Sequence, residues 1–386
     1  MRAGRIAAAM ILGAMAAGCG GHPVVGVLVP RTGAAATYGD SIESGIRVAV
    51  AQARERGALP AGFELLWEDT ASDPAAAVAA LRKVVGEGGA RLVIGGVTSD
   101  EARALLPALE ELGVTCLSPS ASAPGLAKES KLFYRIFPSD ELEGGRAARF
   151  LFEQLKRAST LVVAGDSEYV RGIEPEFVSQ YRDNLGGTIA GRVSLSEPGW
   201  RQRLAEALEA APSAVYIIAY ADEIVEVVRA LRDLGYRGTI CTTSAFYSGT
   251  TILEGGEVVE GVFFPLPPFD PTSEDPLIRA FVDRYTDTYQ RAPDVFAAHG
   301  YDAMNIVLEV ARKASPFTTP EISKALHFSE FKGVTGPIRF DDYGEVRHYP
   351  KMFLVRNGKV VSYDRYLKEQ RRRIINDLRD LFGAGS

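Results

Sequence analysis

LVIGGVTSDEARALLPALEELGVTCL, from Leu92 to Leu117, contains a whole strand–helix–strand unit. Leu92 to Gly95 is a short apolar run, Ser99 to Leu112 has helical spacing, and Val114 to Leu117 is apolar again. Strands joined through a helix lie parallel, with the helix packed on one face of their sheet. The same alternation extends upstream. Val24 to Val29 is an apolar run ending at Pro30, and Tyr38 to Gly57 repeats Ile42, Ile46, Val50 and Ala53 three or four residues apart. Phe63 to Trp67 reads as a strand. Asp73 to Glu87 reads as a helix, with Asp73 placed to cap it and Pro74 in its first turn. This β-α-β-α-β order predicts an α/β fold with a mainly parallel sheet flanked by helices.

Downstream the alternation restarts. Leu161–Ala164, Thr188–Val193, Val215–Ile218, Thr239–Thr243 and Val262–Phe264 read as strands. Ile173–Leu185, Trp200–Ala210 and Glu223–Leu234 read as the helices between them. Two successive α/β series with no Ser/Gly-rich linker predict two lobes, short crossings and a cleft. The last third departs from this plan, with helices over Pro276–Tyr289, Val295–Ala314 and Pro320–His327. Ile338–Phe340, a turn at Asp341–Gly344, Met352–Val355, Asn357-Gly358 and Val360-Val361 then read as an antiparallel meander. Arg365 to Phe382 is a charged C-terminal helix, expected to be solvated and packed by one stripe of Ile374, Ile375, Leu378 and Leu381.

The chain has 386 residues, 46% hydrophobic and 24% charged, which suits two or more compact units. Its net charge of −6 argues against nucleic acid as a partner, because phosphate binding needs a basic face. The N-terminus reads as a secretory signal: basic Met1–Arg5, apolar Ile6–Ala17, and small residues up to Cys19. The apolar stretch is too short to span a bilayer. A Cys directly after Ala-Gly favours a bacterial lipoprotein signal over residues 1–19, in which Cys19 becomes a lipidated mature N-terminus holding the protein on a membrane surface. An ordinary signal that happens to contain a Cys is the alternative, and Ala16 stands where that pattern prefers a branched residue. Cys116 and Cys241 read as buried, unpaired thiols rather than a long-range disulfide, and no spacing suits a metal site.

Several segments in fixed order carry a family resemblance. They are Gly26–Gly33 (GVLVPRTG) with Tyr38-Gly39-Asp40, Glu68-Asp69 with Ser72–Val78 (SDPAAAV), and Leu117–Ser122 (LSPSAS). Tyr134-Arg135 with Asp140, Gly333–Asp341 (GVTGPIRFD) and Asn357-Gly358-Lys359 complete the set. Together they resemble the type I periplasmic binding proteins of the leucine/isoleucine/valine family, the solute receptors of ABC transporters, from about Val24 to Tyr363. The resemblance implies two lobes joined by three crossings. Residues 24–139 with 269–332 would form the first lobe, and 140–268 with 333–364 the second, closing on a small ligand like a hinged clamp.

The resemblance also implies a set of ligand contacts. Thr98-Ser99, where a strand gives way to a helix, matches the family's serine site for a carboxylate, and Ala121-Ser122 matches its second donor site. Helix capping and turn formation are the plain alternatives for these residues. Asp140 matches the aspartate at the crossing, with helix capping as the alternative. Tyr169 and Tyr220 match tyrosines that cover the ligand, with interface packing of an amphipathic ring as the alternative, and Tyr38 matches a first-lobe aromatic near its side chain. Where the family's amino-acid binders place an acid after the strand at Thr239–Thr243, this chain has Ser244, which cannot neutralise an ammonium. An amino acid therefore shares the field with amides, urea-like molecules and aromatic acids. Phe246 and Tyr247 could add an apolar wall or belong to the core.

The implied function is a lipid-anchored, extracytoplasmic receptor, expected to be monomeric, that passes a small molecule to ABC permease subunits without a cofactor. A ligand-sensing module of the same fold, uncoupled from transport, is the alternative. No Gly-x-Ser-x-Gly, His-Glu-x-x-His, P-loop or Gly-x-Gly-x-x-Gly motif supports an enzyme. His22, His299, His327 and His348 fall in a linker, a helix, a helix end and a strand edge, which assembles no catalytic set.

Overall fold

The computed structural model describes residues 22–247 and 251–383, so the signal segment and Cys19 lie outside the described residues. The first lobe is built on β1 (Val24–Val29), β2 (Glu64–Asp69), β3 (Leu92–Ile94), β4 (Thr115–Ser118) and β5 (Phe133–Arg135). They form one parallel sheet in the order β2-β1-β3-β4-β5, with Val25 opposite both Leu65 and Leu92, and Leu117 opposite Tyr134. Every residue of β1 is buried, as expected of a strand covered on both faces. Helices α1 (Ala36–Glu55), α2 (Pro74–Gly86) and α3 (Ser99–Leu112) make the crossovers. One face of the sheet is packed by α2 and α3 through Leu81, Val84, Leu105 and Leu109.

The second lobe opens with α4 (Asp140–Arg149), followed by β6 (Ser159–Ala164), α5 (Glu168–Val178), β7 (Thr188–Ser194), α6 (Trp200–Leu208), β8 (Ala214–Ile218), α7 (Ala221–Asp233), β9 (Thr239–Thr242), α8 (Thr251–Gly255) and β10 (Phe263–Leu266). With β13 (Lys351–Arg356) and β14 (Lys359–Ser362) added at one edge, its seven-stranded sheet runs β14-β13-β10-β9-β8-β6-β7. Strands β6 to β10 are parallel to their neighbours among themselves. At that edge, β13 joins β10 antiparallel and β14 folds back on β13. Asn357 and Gly358 both have positive φ, 53° and 66°, the backbone that a tight hairpin between right-twisted strands demands.

Between these sheets the chain returns to the first lobe through α9 (Pro276–Tyr289), α10 (Val295–Lys313) and α11 (Thr319–His327). Helices α1 and α10 touch at their backbones: a Cβ on Gly45 would sit 2.0 Å from the Ala297 carbonyl oxygen, and one on Gly300 2.4 Å from that of Ile42. The apolar cluster on this side is continuous from β1, α1 and α10 into β6, β8 and β10 of the second lobe.

The expected meander is split. Ile338 and its neighbours belong to β12 (Gly336–Arg339), which pairs with β11 (Glu330–Gly333) in a separate two-stranded sheet and not with β13. The cause is Asp302 on α10. Its buried carboxylate accepts from the backbone N–H of Val334 (2.8 Å) and Thr335 (2.9 Å) and from the Thr335 hydroxyl (2.7 Å), binding the hairpin turn to a first-lobe helix. Farther on, the Gly344 carbonyl accepts from Arg135 N–H on β5. The stretch from 333 to about 345 therefore packs on the first lobe, not the second. In α12 (Tyr363–Gly383), Ile374 and Ile375 of the expected stripe are 58% and 48% exposed, and the side chains of Leu378 and Leu381 lie outside the described residues. Cys116 and Cys241 are buried free thiols.

Candidate functional site

The first-lobe wall is made where β3 ends. Thr98 caps α3, its hydroxyl oxygen accepting from Glu101 N–H at 3.2 Å, while the Glu101 carboxylate accepts from the N–H groups of Thr98 and Val97. Ser99 opens the helix, and its Oγ accepts from the N–H groups of Ser122 (3.3 Å) and Ala123 (3.1 Å). The Ser120 hydroxyl donates to the Val97 carbonyl at 2.6 Å, lacing the loop after β4 onto the same junction. The capping expected of these residues is therefore present. Because the oxygens of Thr98 and Ser99 already accept, their hydroxyl protons remain free to donate. The free N–H groups and dipole of α3 add positive potential.

The second-lobe wall comes from three places: Tyr169 near the start of α5, Tyr220 at the N-cap of α7, and Ser244 after β9. The rings of Tyr169 and Tyr220 stack at 5.6 Å with 16° between their planes. Ser244 donates its hydroxyl to Glu143 Oε2 at 2.7 Å, and its N–H donates to Oε1 at 2.8 Å. The Tyr169 hydroxyl donates to Glu143 Oε1 at 3.4 Å. With Glu143 ionised, the Ser244 hydroxyl gives its proton to the carboxylate and presents an acceptor toward the cleft, while the longer Tyr169 contact sits beside Thr243 and Ser244 as well.

These walls face each other across one partly open pocket. Tyr38, Thr98, Ser99, Ser122, Tyr169, Tyr220 and Ser244 line it together, from both lobes. Phe137 and Phe296, stacked at 5.9 Å and 6°, supply an apolar floor that sequence reasoning missed, with Val97, Ser120 and Ala245. No charged side chain is among the lining residues. The Tyr220 hydroxyl is buried without a hydrogen-bond partner. The lobes meet around this pocket: Glu168 on α5 pairs with Arg103 on α3 at 2.7 Å, and Glu168 N–H donates to Asp100 at 3.1 Å.

Ala121, Asp140 and Phe246 stand apart from the pocket lining. The Ala121 N–H is taken by Ser118 Oγ and its carbonyl faces Arg135. Phe246 is fully buried against Phe264, ring centres 5.0 Å apart, in the second-lobe core. Asp140 is fully buried, and neither carboxylate oxygen has a hydrogen-bond partner. Burial, then the neighbouring Glu143, push its carboxyl well above the usual range, so it favours the neutral acid. Glu143 was not foreseen. Burial pushes it up to about 7 despite its bonds to Ser244 and Tyr169. The signal available was Asp140-Glu-Leu-Glu143, which puts two acids three apart on one helix face.

A family model described as periplasmic binding protein matches residues 24–358. The chain belongs to the periplasmic binding protein family. Members of this family are solute receptors, not enzymes. This periplasmic binding protein is 25% identical over 323 residues to the leucine-, isoleucine-, valine-, threonine-, and alanine-binding protein of Pseudomonas aeruginosa, covering 83% of this chain and 86% of that one. It is similar to the solved leucine-binding protein LivK of Thermotoga maritima, with a TM-score of 0.81 and 27% identity over 88% of this chain and 97% of that one. A solute-binding protein of R. palustris solved with benzoate shares the fold, with a TM-score of 0.79 at 18% identity over 89% of this chain and 96% of that one. Among the described residues of this periplasmic binding protein, no helix is long and apolar enough to cross a membrane, and no group of His, Cys, Asp and Glu could hold a metal ion.

Proposed function

We propose that this protein is the extracytoplasmic receptor of an ABC importer for a small amino acid or a close amide relative. The observation that carries the reading is the opposed polarity of the two walls: Thr98 and Ser99 offer hydroxyl donors at a helix N-terminus, and Ser244 and Tyr169 offer acceptors across the gap. A ligand bearing a carboxylate beside an N–H group satisfies both. Its apolar remainder would lie on Tyr38, Phe137 and Phe296. The relatives' names support an amino acid, and the missing acid at Ser244 keeps the ligand class open to amides. Lipid attachment at Cys19 completes the proposal and rests on the sequence around it.

The test is a thermal-shift screen of amino acids, amides and small carboxylates. Bound ligand stabilises the folded state by mass action, so an amino acid at a hundredfold excess over its Kd should raise the Tm by a few degrees. A flat response to every carboxylate probe would remove this reading.

A further inference from the structure

We infer that Glu143 is a specificity-determining residue: by holding the protons of Ser244 and Tyr169, it makes the second-lobe wall select ligands that carry an amino group next to the carboxylate. This deepens the reading above and rests on it. Glu143 does not line the pocket, so it acts through the two side chains that do. Its three accepted bonds, from Ser244 N–H, Ser244 Oγ and the Tyr169 hydroxyl, are the only hydrogen bonds its carboxylate makes among the described residues, and no Lys or Arg there pairs with it. The groups facing it are Asp140 on its own helix, Tyr169 on α5, Tyr216 on β8 and Cys241 on β9. Of the nearby cations, Arg135 is tied to Glu345 at 2.7 Å and acts on Asp140, and Arg146 lies near Asp364 and Cys241 without an ion pair to Glu143.

The consequence is electrostatic. Two buried acids lie three residues apart with no bound cation, and they cannot both ionise cheaply. A ligand ammonium set against Ser244 and Tyr169 supplies the missing positive charge. Ser244 itself carries no charge, and the acid reaches its side of the pocket from α4 with the one hydroxyl interposed. A ligand without the amino group leaves two buried acceptors unpaired, and binding suffers.

The experiment is calorimetric titration of the full chain with L-leucine and with isocaproate, the same molecule lacking its amino group. The wild type should favour L-leucine by about tenfold or more. In Glu143→Gln the amide oxygen still accepts from Ser244 N–H, but the amide N–H turns Ser244 Oγ into an acceptor and frees its proton toward the pocket. The preference should collapse, through weaker L-leucine binding and no loss for isocaproate. In the wild type the preference should also shrink between about pH 8.5 and about pH 5.5, as Glu143 takes up a proton that the ammonium ligand must displace, and this pH dependence should vanish in Glu143→Gln. The wild-type pH series decides alone if the variant does not fold. Equal loss for both probes, or a preference indifferent to substitution and to pH, overturns the role of Glu143 and leaves the site standing. A wild type that binds neither probe, nor any amino acid in the thermal screen, overturns the site and this inference with it.

Discussion

The hydroxyl of Tyr38, on the first helix of the first lobe, donates across the cleft to the Ala245 carbonyl of the second lobe at 2.8 Å. The same oxygen accepts from Ala221 N–H at 2.9 Å, so one phenol joins two second-lobe segments to the opposite wall. Burial pushes its ionisation far above the ordinary tyrosine range, which keeps it a neutral donor at any working pH. Tyr38→Phe leaves that carbonyl and that N–H unpaired in the closed form. Ligand affinity should fall about tenfold, and small-angle scattering should report a larger radius of gyration at a given ligand concentration.

Ser99 does two jobs at once. Ser99→Ala removes a hydroxyl that lines the pocket, the proposed ligand donor, and the acceptor for Ser122 and Ala123 N–H. Affinity should drop about tenfold or more, and urea unfolding should show a loss of about 1–3 kcal/mol. Affinity unchanged from wild type would place the ligand elsewhere.

The rim contact between Arg103 and Glu168 is a milder test of closure. Their side chains are 32% and 24% exposed, and Arg103 also reaches Glu129. Solvent screening limits such a pair to about 1 kcal/mol. Arg103→Ala should weaken ligand binding by about two- to fivefold, and the difference from wild type should narrow as salt is raised.

Arg135 is a case where removal should be severe. Its guanidinium is fully buried, pairs with Glu345 at 2.7 Å and donates to the Ala123 carbonyl at 2.8 Å. Arg135→Met keeps the bulk but abandons a largely buried carboxylate, and a loss of about 3–5 kcal/mol in denaturant unfolding is expected.

His299 sets an acid limit. Burial pushes its imidazole down to about 3, and Nδ1 bonds the Val295 carbonyl at 2.7 Å. The depressed value means the unfolded chain binds the proton first. The native state therefore loses stability as pH falls below about 6.5, by up to about 1.4 kcal/mol per pH unit until about pH 3. His299→Leu should remove that slope, measured as urea stability at a series of pH values.

Much of this could be read from the chain because parallel strands buried on both faces must be uniformly apolar, and β1, β3 and β8 are. Thr98 was legible as a cap because a helix start has few chemical solutions, and only the family resemblance marked Thr98 and Ser99 as candidate ligand contacts. Phe246 was not, since an apolar residue after a strand fits a core and a pocket wall equally well. Glu143 was hidden for a different reason: its partners are 26 and 101 residues away, and only the packing of α4 beside β9 brings them together. The hairpin at 330–339 attaches to Asp302, about thirty residues upstream, through a bond no periodicity encodes.

The backbone contact of Gly45 with Ala297 and of Gly300 with Ile42 has one more effect. Tyr38 and Phe296 sit on those two helices, and with no side chain between the rods neither aromatic can shift without dragging the other. The two rings therefore form one braced piece of the pocket floor, and a change in pocket shape is expected to come more readily from the facing residues Tyr169, Tyr220 and Ser244.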